Sequence, residues 1–297
     1  MFLFAFFAFL LCFLLSCEEK EIVTEYDFFL LEQNSARDIL PGVEITKEYG
    51  ESRFKEENAE KEQEFLILGN TYRMQYQYTV IWQFWDRPQR FYKNETGQFV
   101  YTDAESGEVV DFRSVPIPFE EFTEENCKKT LKALAKDHVD LSGMICELEE
   151  TIWYSKTTGE LQRTKDCFYT GEDLDGKKSV SYRVYYRRYL NGIPCGKEYV
   201  SARFTKDKTI SFAFFKDADL PSEKETRIFL NAESATRAYL AKNMSKEEER
   251  QVSQLLPCLW TRNGETFLCM SVLFGENKNT SETAQLTITL VLKPKKT

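Results

Sequence analysis

Two helix-forming stretches, each followed by a run of strand-length segments, limit what this chain can fold into more than any other feature. The first helix is expected to begin at Thr123, whose hydroxyl suits an N-cap, with Glu124 and Glu125 in the first turn where the helix dipole favours negative charge. Cys127, Leu131, Leu134 and His138 follow at spacings of four, three and four, which places them on one face. The second helix is expected to begin at Asn231, another good N-cap, and to run from Ala232 to Asn243 with Ala235, Ala238 and Tyr239 on one side. Strands follow the first helix at 145–154, 161–169, 180–189 and 199–215, and the second at 255–262, 266–274 and 284–292. In the last of these Leu286, Ile288, Leu290 and Leu292 alternate with Thr287, Thr289 and Val291, the pattern of a half-buried strand. A helix laid on one face of a twisted antiparallel sheet is a stable layered arrangement. The expected fold class is therefore α+β, with tandem helix-plus-antiparallel-sheet units at 119–220 and 221–297. The segment Asp217–Thr226, with Pro221 and mixed charges, is the expected boundary between them.

Residues 64–118 read as a separate β-rich segment, with strands at 65–68, 72–84, 98–102 and 107–112. The turn Asp103-Ala104-Glu105-Ser106-Gly107 lies between the last two. Counts of 24 Phe and 15 Tyr agree with a sheet-rich protein, because aromatic side chains suit a pleated, half-buried surface. Asn263-Gly264 is a strong two-residue hairpin signal. In that register Cys258 faces Cys269 across the hairpin at a Cα separation of about 5.5 Å, within disulfide range. These two are the candidate disulfide among the six cysteines that follow Cys17: Cys127, Cys146, Cys167, Cys195, Cys258 and Cys269. Zinc is the competing use of cysteine, but the chain has no CxxC pair and one His, so no metal and no cofactor are expected.

The apolar run from Met1 to Leu15 is about right for a signal-peptide core and too short for a membrane-spanning helix, which needs about 20 residues. Its ending, Leu14-Leu15-Ser16-Cys17, resembles a bacterial lipobox, which implies cleavage after residue 16, a lipid on Cys17 and attachment to the membrane through that anchor. No Lys or Arg precedes the run, and the triplets Asn94-Glu95-Thr96, Asn243-Met244-Ser245 and Asn279-Thr280-Ser281 leave a secreted glycoprotein as the other reading. Both readings export the chain. Residues 17–63 are acidic and patchy, with short apolar pieces such as Phe28-Phe29-Leu30-Leu31, and read as a solvated tether behind the anchor. A net charge of −9 argues against a nucleic-acid partner and against electrostatic docking on anionic lipid.

From Val180 to Pro194 a strand ends in an Asn191-Gly192-Ile193-Pro194 turn; Tyr199–Phe204 and Thr209–Phe215 then follow as strands. This order resembles a PepSY-type domain, and the tandem arrangement resembles bacterial lipoproteins that carry two PepSY/cystatin-like units. The helix at 123–137 sits where a PepSY helix stands, and Asp103–Phe112 is similar to the family's Asp-x-x-Thr-Gly-Glu hairpin. Asp207-Lys208 replaces the usual Gly turn, and Cys195 stands where an aliphatic residue is common. The resemblance implies an extracytoplasmic binding module of the cell envelope with a protein or peptide partner, such as a peptidase inhibitor or a sensor-kinase accessory.

No catalytic residue is assigned. His138 is the single His, and no Gly-rich phosphate loop, HExxH or GxSxG occurs. An envelope hydrolase with a carboxylate pair stays open as an alternative. Two candidate binding surfaces stand out. Arg183, Arg187 and Arg203 concentrate positive charge within an acidic protein; they suit a peptide carboxylate or an anionic polymer, or else pair with neighbouring acids. Trp82 and Trp85 belong to an aromatic stretch with Tyr76, Tyr78 and Phe84, which either paves a sheet face that takes wall glycans or other solutes, or forms core.

Overall fold

The computed structural model describes residues 24–31, 39–136, 138–178, 180–216, 220–245, 251–275 and 286–295. The apolar run, Cys17 and the sequon at Asn279 lie outside them. Among the described residues two twelve-residue helices, a one-turn helix at Glu223–Thr226 and a long path of paired strands make an α+β fold. The larger sheet starts at β10 (Leu161–Lys165) and passes through β9 (Met144–Tyr154), β11 (Ser181–Leu190), β12 (Ile193–Thr205) and β13 (Thr209–Phe215). It continues through β8 (Val109–Pro116), β7 (Phe99–Asp103), β6 (Gln89–Lys93) and β5 (Asn70–Ile81). β3 (Ser52–Phe54) and β4 (Glu62–Ile67) share the far edge of β5. The smaller sheet runs β2 (Glu44–Thr46), β1 (Tyr26–Leu31), β16 (Leu286–Pro294), β15 (Glu265–Phe274) and β14 (Val252–Arg262). β12 joins the two sheets, its first residues meeting β14 at Cys195 and Leu259.

Helix α1 (Glu124–Ala135) starts where its chemistry requires: the Thr123 hydroxyl accepts from the Asn126 N–H at 3.3 Å. Cys127, Leu131 and Ala135 bury against Tyr182, Val184, Val200, Ala202, Phe204 and Phe212 of the larger sheet. Helix α2 (Ala232–Asn243) packs Ala232 and Leu240 against Leu268, Met270, Ile288 and Leu290 of the smaller one. Asn231 does not cap it. Its side chain is taken by β1, accepting from the Tyr26 hydroxyl at 2.8 Å and donating to the Thr24 carbonyl at 2.9 Å. A third cluster, with Leu31, Phe267, Cys269 and Val291, covers the other face of the smaller sheet with Tyr49, Phe84 and Trp85.

Three expectations are corrected. The stretch expected as a tether supplies β1, whose Leu30 is fully buried beside Leu290, because Phe28-Phe29-Leu30-Leu31 completes the sheet edge left by β16. Residues 64–118 are not a separate segment, since β8 pairs with β13 and so continues the sheet of the first unit. The aromatic stretch does not pave one face. A bulge at Gln77 sets Tyr76 opposite Tyr92 and Tyr78 opposite Phe91, so the two tyrosines point to opposite sides.

The Asn263-Gly264 turn has φ of 51° and 73°, as a two-residue hairpin of this kind needs, and the register sets Cys258 opposite Cys269 as expected. No bond joins them. The Cys258 sulfur lies 4.0 Å from Arg187 Nη1, while Cys269 is buried in the third cluster. Burial pushes the Cys258 thiol up to about 11 and the Cys269 thiol well above its ordinary value.

Candidate binding face

Strand alternation gives β11, β12, β13 and β8 two unlike faces. Tyr182, Val184, Val200, Ala202, Phe204, Ile210 and Phe212 join the core under α1. The opposite, open face carries what is left, and the register brings it together in rows. Arg183 stands opposite Arg203, and Arg203 opposite Ser211. One step along, Tyr185, Ser201, Ala213 and Asp111 form the next row. Arg187, Tyr199 and Phe215 form the third.

Arg113 joins this face through a bulge. Between Ile210–Val115 and Phe212–Phe112, β8 carries one residue more than β13, and Ser114 takes a φ of 63° there. The Ser114 N–H donates to the Ser211 hydroxyl at 3.4 Å. Arg113 Nη2 lies 3.1 Å from Asp111 Oδ2, and its guanidinium rests 5.1 Å from the Phe99 ring centre. The result is a trough of about 350 Å³ between Arg113, Arg183 and Arg203, floored by the short side chains of Ser201, Ser211 and Ala213.

Charge in the trough is unevenly matched. Arg183 donates to Glu150 at 2.9 Å, and Arg163 stands 3.9 Å from the same carboxylate. Arg203 is exposed and has no ion pair or hydrogen bond among the described residues. Arg113, Arg163, Arg183 and Arg203 thus face two carboxylates, Asp111 and Glu150. Burial pushes the Asp111 carboxyl up from its ordinary value against the pull of Arg113.

A cavity of about 440 Å³ adjoins the trough where the two sheets meet, and the Asp111–Arg113 pair lines both. Its aromatic walls are Trp82, Trp85, Tyr101, Tyr199, Phe215 and Trp260. Trp85 is buried edge-on against Phe215, with ring centres 3.7 Å apart, and Trp82 is half-buried, its Nε1 donating to Gln89 at 3.0 Å. Trp260 reaches the site because residue 196 is Gly: a Cβ there would fall 2.2 Å from the indole.

Of the residues singled out from sequence, Arg183 and Arg203 come together as neighbours. Arg187 shares their face but turns away, donating to the Tyr185 hydroxyl at 2.7 Å and pairing with Glu147 at 3.3 Å. Trp82 and Trp85 line a cavity instead of paving a surface. Sequence reasoning missed Asp111, Arg113, Tyr199 and Trp260. The first two carry a period-2 signal, but their meeting with Arg203 depends on the pairing of β8 with β13 across about a hundred residues. His138 is occupied elsewhere, 2.7 Å from Glu108 and stacked on Phe214 at 3.9 Å. The edges β2 and β3 are short, and Arg163 and Lys165 on β10 blunt it against strand addition, whereas β14 is eleven residues long and meets β12 at one position.

No helix among the described residues is long and apolar enough to cross a membrane. No family model matches the chain, and no curated protein matches it. Among solved structures it is similar to the Bacillus megaterium YpeB C-terminal domain, at 12% identity over 82% of this chain and 85% of that one, with a TM-score of 0.27.

Proposed function

We propose that this chain is an exported binding protein of the bacterial envelope, anchored by lipid on Cys17, that holds an anionic ligand on the open face of its larger sheet. The observation that carries the reading is Arg203, exposed between Arg113 and Arg183 above a floor of small residues and without a counter-charge among the described residues. Arginine's planar fork suits carboxylate and phosphate groups, and a ligand anion supplies what the trough lacks. Restraint of a peptidase or of a sensor kinase are both roles that such a face serves.

The test is fluorescence anisotropy with a labelled hexaglutamate peptide at low and at physiological salt. Wild type binds, and raised salt weakens the complex, as screening requires. Arg203→Glu lowers affinity by about tenfold or more, since it removes a charge-assisted contact and adds repulsion. Equal affinity in wild type and Arg203→Glu overturns the reading. For the anchor, metabolic lipid labelling that vanishes in Cys17→Ser supports it, and unlabelled wild type with a cleaved signal overturns it.

A further inference from the structure

The trough and the cavity adjoin along the larger sheet, with the Asp111–Arg113 pair lining both. β12 runs beneath them: Tyr199 stands at the cavity, Ser201 on the trough floor and Arg203 at the far end, all on one face. At roughly 3.3 Å per residue, Tyr199 to Arg203 spans about 13 Å. An extended peptide has the same rise, and its side chains at alternate positions point one way every ~6.6 Å. Laid along β12, it presents three side chains to this face, one over the cavity and two over the trough.

The chemistry of each stretch differs. The cavity is lined mainly by aromatic side chains, with Glu51, Gln83 and Gln89 among them, and aromatic walls favour an aromatic ring. The trough is cationic, and Arg183 lies directly opposite Arg203 in register. Like charges directly opposite across two strands are unfavourable. A carboxylate seated between them turns that cost into attraction. We infer that the ligand is an extended acidic peptide whose aromatic residue fills the cavity and whose acidic side chains, two and four positions away, lie on Arg113, Arg183 and Arg203. This rests on the anionic-ligand reading above and adds the aromatic anchor and the spacing.

The test is calorimetric titration of the full chain with capped pentapeptides. Trp-Gly-Glu-Gly-Glu is the design that matches this face; Trp-Glu-Glu-Gly-Gly has the same composition at the wrong spacing; Gly-Gly-Glu-Gly-Glu lacks the anchor. The first is expected to bind about tenfold tighter than either control, the gain of one buried ring or one well-seated carboxylate. Trp82→Leu, at the half-buried wall of the cavity, is expected to erase the advantage of the Trp peptides, whereas Arg203→Gln weakens every peptide that carries glutamate. Should Trp82→Leu fail to fold by circular dichroism, the wild-type peptide series decides alone. Equal binding of the Trp and Gly peptides, with dependence on Arg203, overturns this inference and leaves the anionic-ligand reading standing. Absence of binding by all three overturns both. Tighter binding of a galacturonate hexasaccharide than of any peptide overturns the peptide assignment in favour of an acidic glycan.

Discussion

The two faces of β11, β12 and β13 are made from alternate residues of the same sequence, yet they obey different rules. Under α1, Val200, Ala202 and Phe204 are all buried, and each neighbour across the strands is aliphatic or aromatic. On the other side Tyr199, Ser201 and Arg203 change from aromatic to small to charged within five residues. The covered face is uniform because burial selects for apolar volume alone. A face that had only to meet water would not set Arg183 against Arg203 or keep Ser201, Ser211 and Ala213 small between them. Stability explains one side of the sheet, and the proposed recognition of a ligand is the account offered for the other.

The strongest way to probe this division is to cut into the covered face. Phe204 is fully buried between Tyr182 and Phe119, with ring centres 6.4 Å and 6.3 Å away. Phe204→Ala is expected to lower stability by about 3–5 kcal/mol, the transfer term of the ring plus the cavity it leaves. Urea unfolding followed by circular dichroism reads this directly. A loss below about 1 kcal/mol would mean that this face is not the one that holds the sheet.

A smaller effect is expected where the two faces give way to the sheet junction. Gly196 lies under the Trp260 indole, which leaves no room for a methyl group. Gly196→Ala forces the ring aside, and overpacking of this kind costs about 1–3 kcal/mol. Because Trp260 is also a cavity wall, the same variant is expected to change the fluorescence of the junction tryptophans. Unchanged stability together with an unchanged spectrum would show that the indole moves freely, and that the cavity is not the rigid pocket its packing describes.

How much of this was legible in the sequence follows from the distance over which each signal acts. The α+β class, the α1 N-cap at Thr123 and the register of the Asn263-Gly264 hairpin all depend on residues a few positions apart, and each is visible locally. Cys258 could be placed opposite Cys269, but whether their sulfurs meet is decided by rotamers, and Arg187 from another strand lies beside one of them. Asn231 has the chemistry of a cap and is diverted by Tyr26, which comes from the other end of the chain. The candidate site was half visible for the same reason. Arg183 and Arg203 belong to one hairpin, so alternation pairs them, whereas Arg113 and Asp111 arrive through β8 and Trp260 through the junction. Aromatic residues were the least informative, since a single bulge at Gln77 sends Tyr76 and Tyr78 to different sides.

The smallest expected effect is also the sharpest for the comparison of faces, because its sign is opposite. Arg203 has no counter-charge among the described residues and sits across from Arg183. Replacing it removes a repulsion and no buried contact, so Arg203→Thr, which keeps a residue suited to strands, is expected to leave stability unchanged or raise it by a few tenths of a kcal/mol. The same urea titration measures this, at low salt where the repulsion is least screened. A gain in stability joined to a loss of hexaglutamate binding is the behaviour of a residue kept for recognition at a small cost to the fold. A loss of more than about 1 kcal/mol would instead make Arg203 a structural member of the sheet, well outside the ±0.5 kcal/mol usual for exposed positions. The open face would then be governed by stability, as the covered face is.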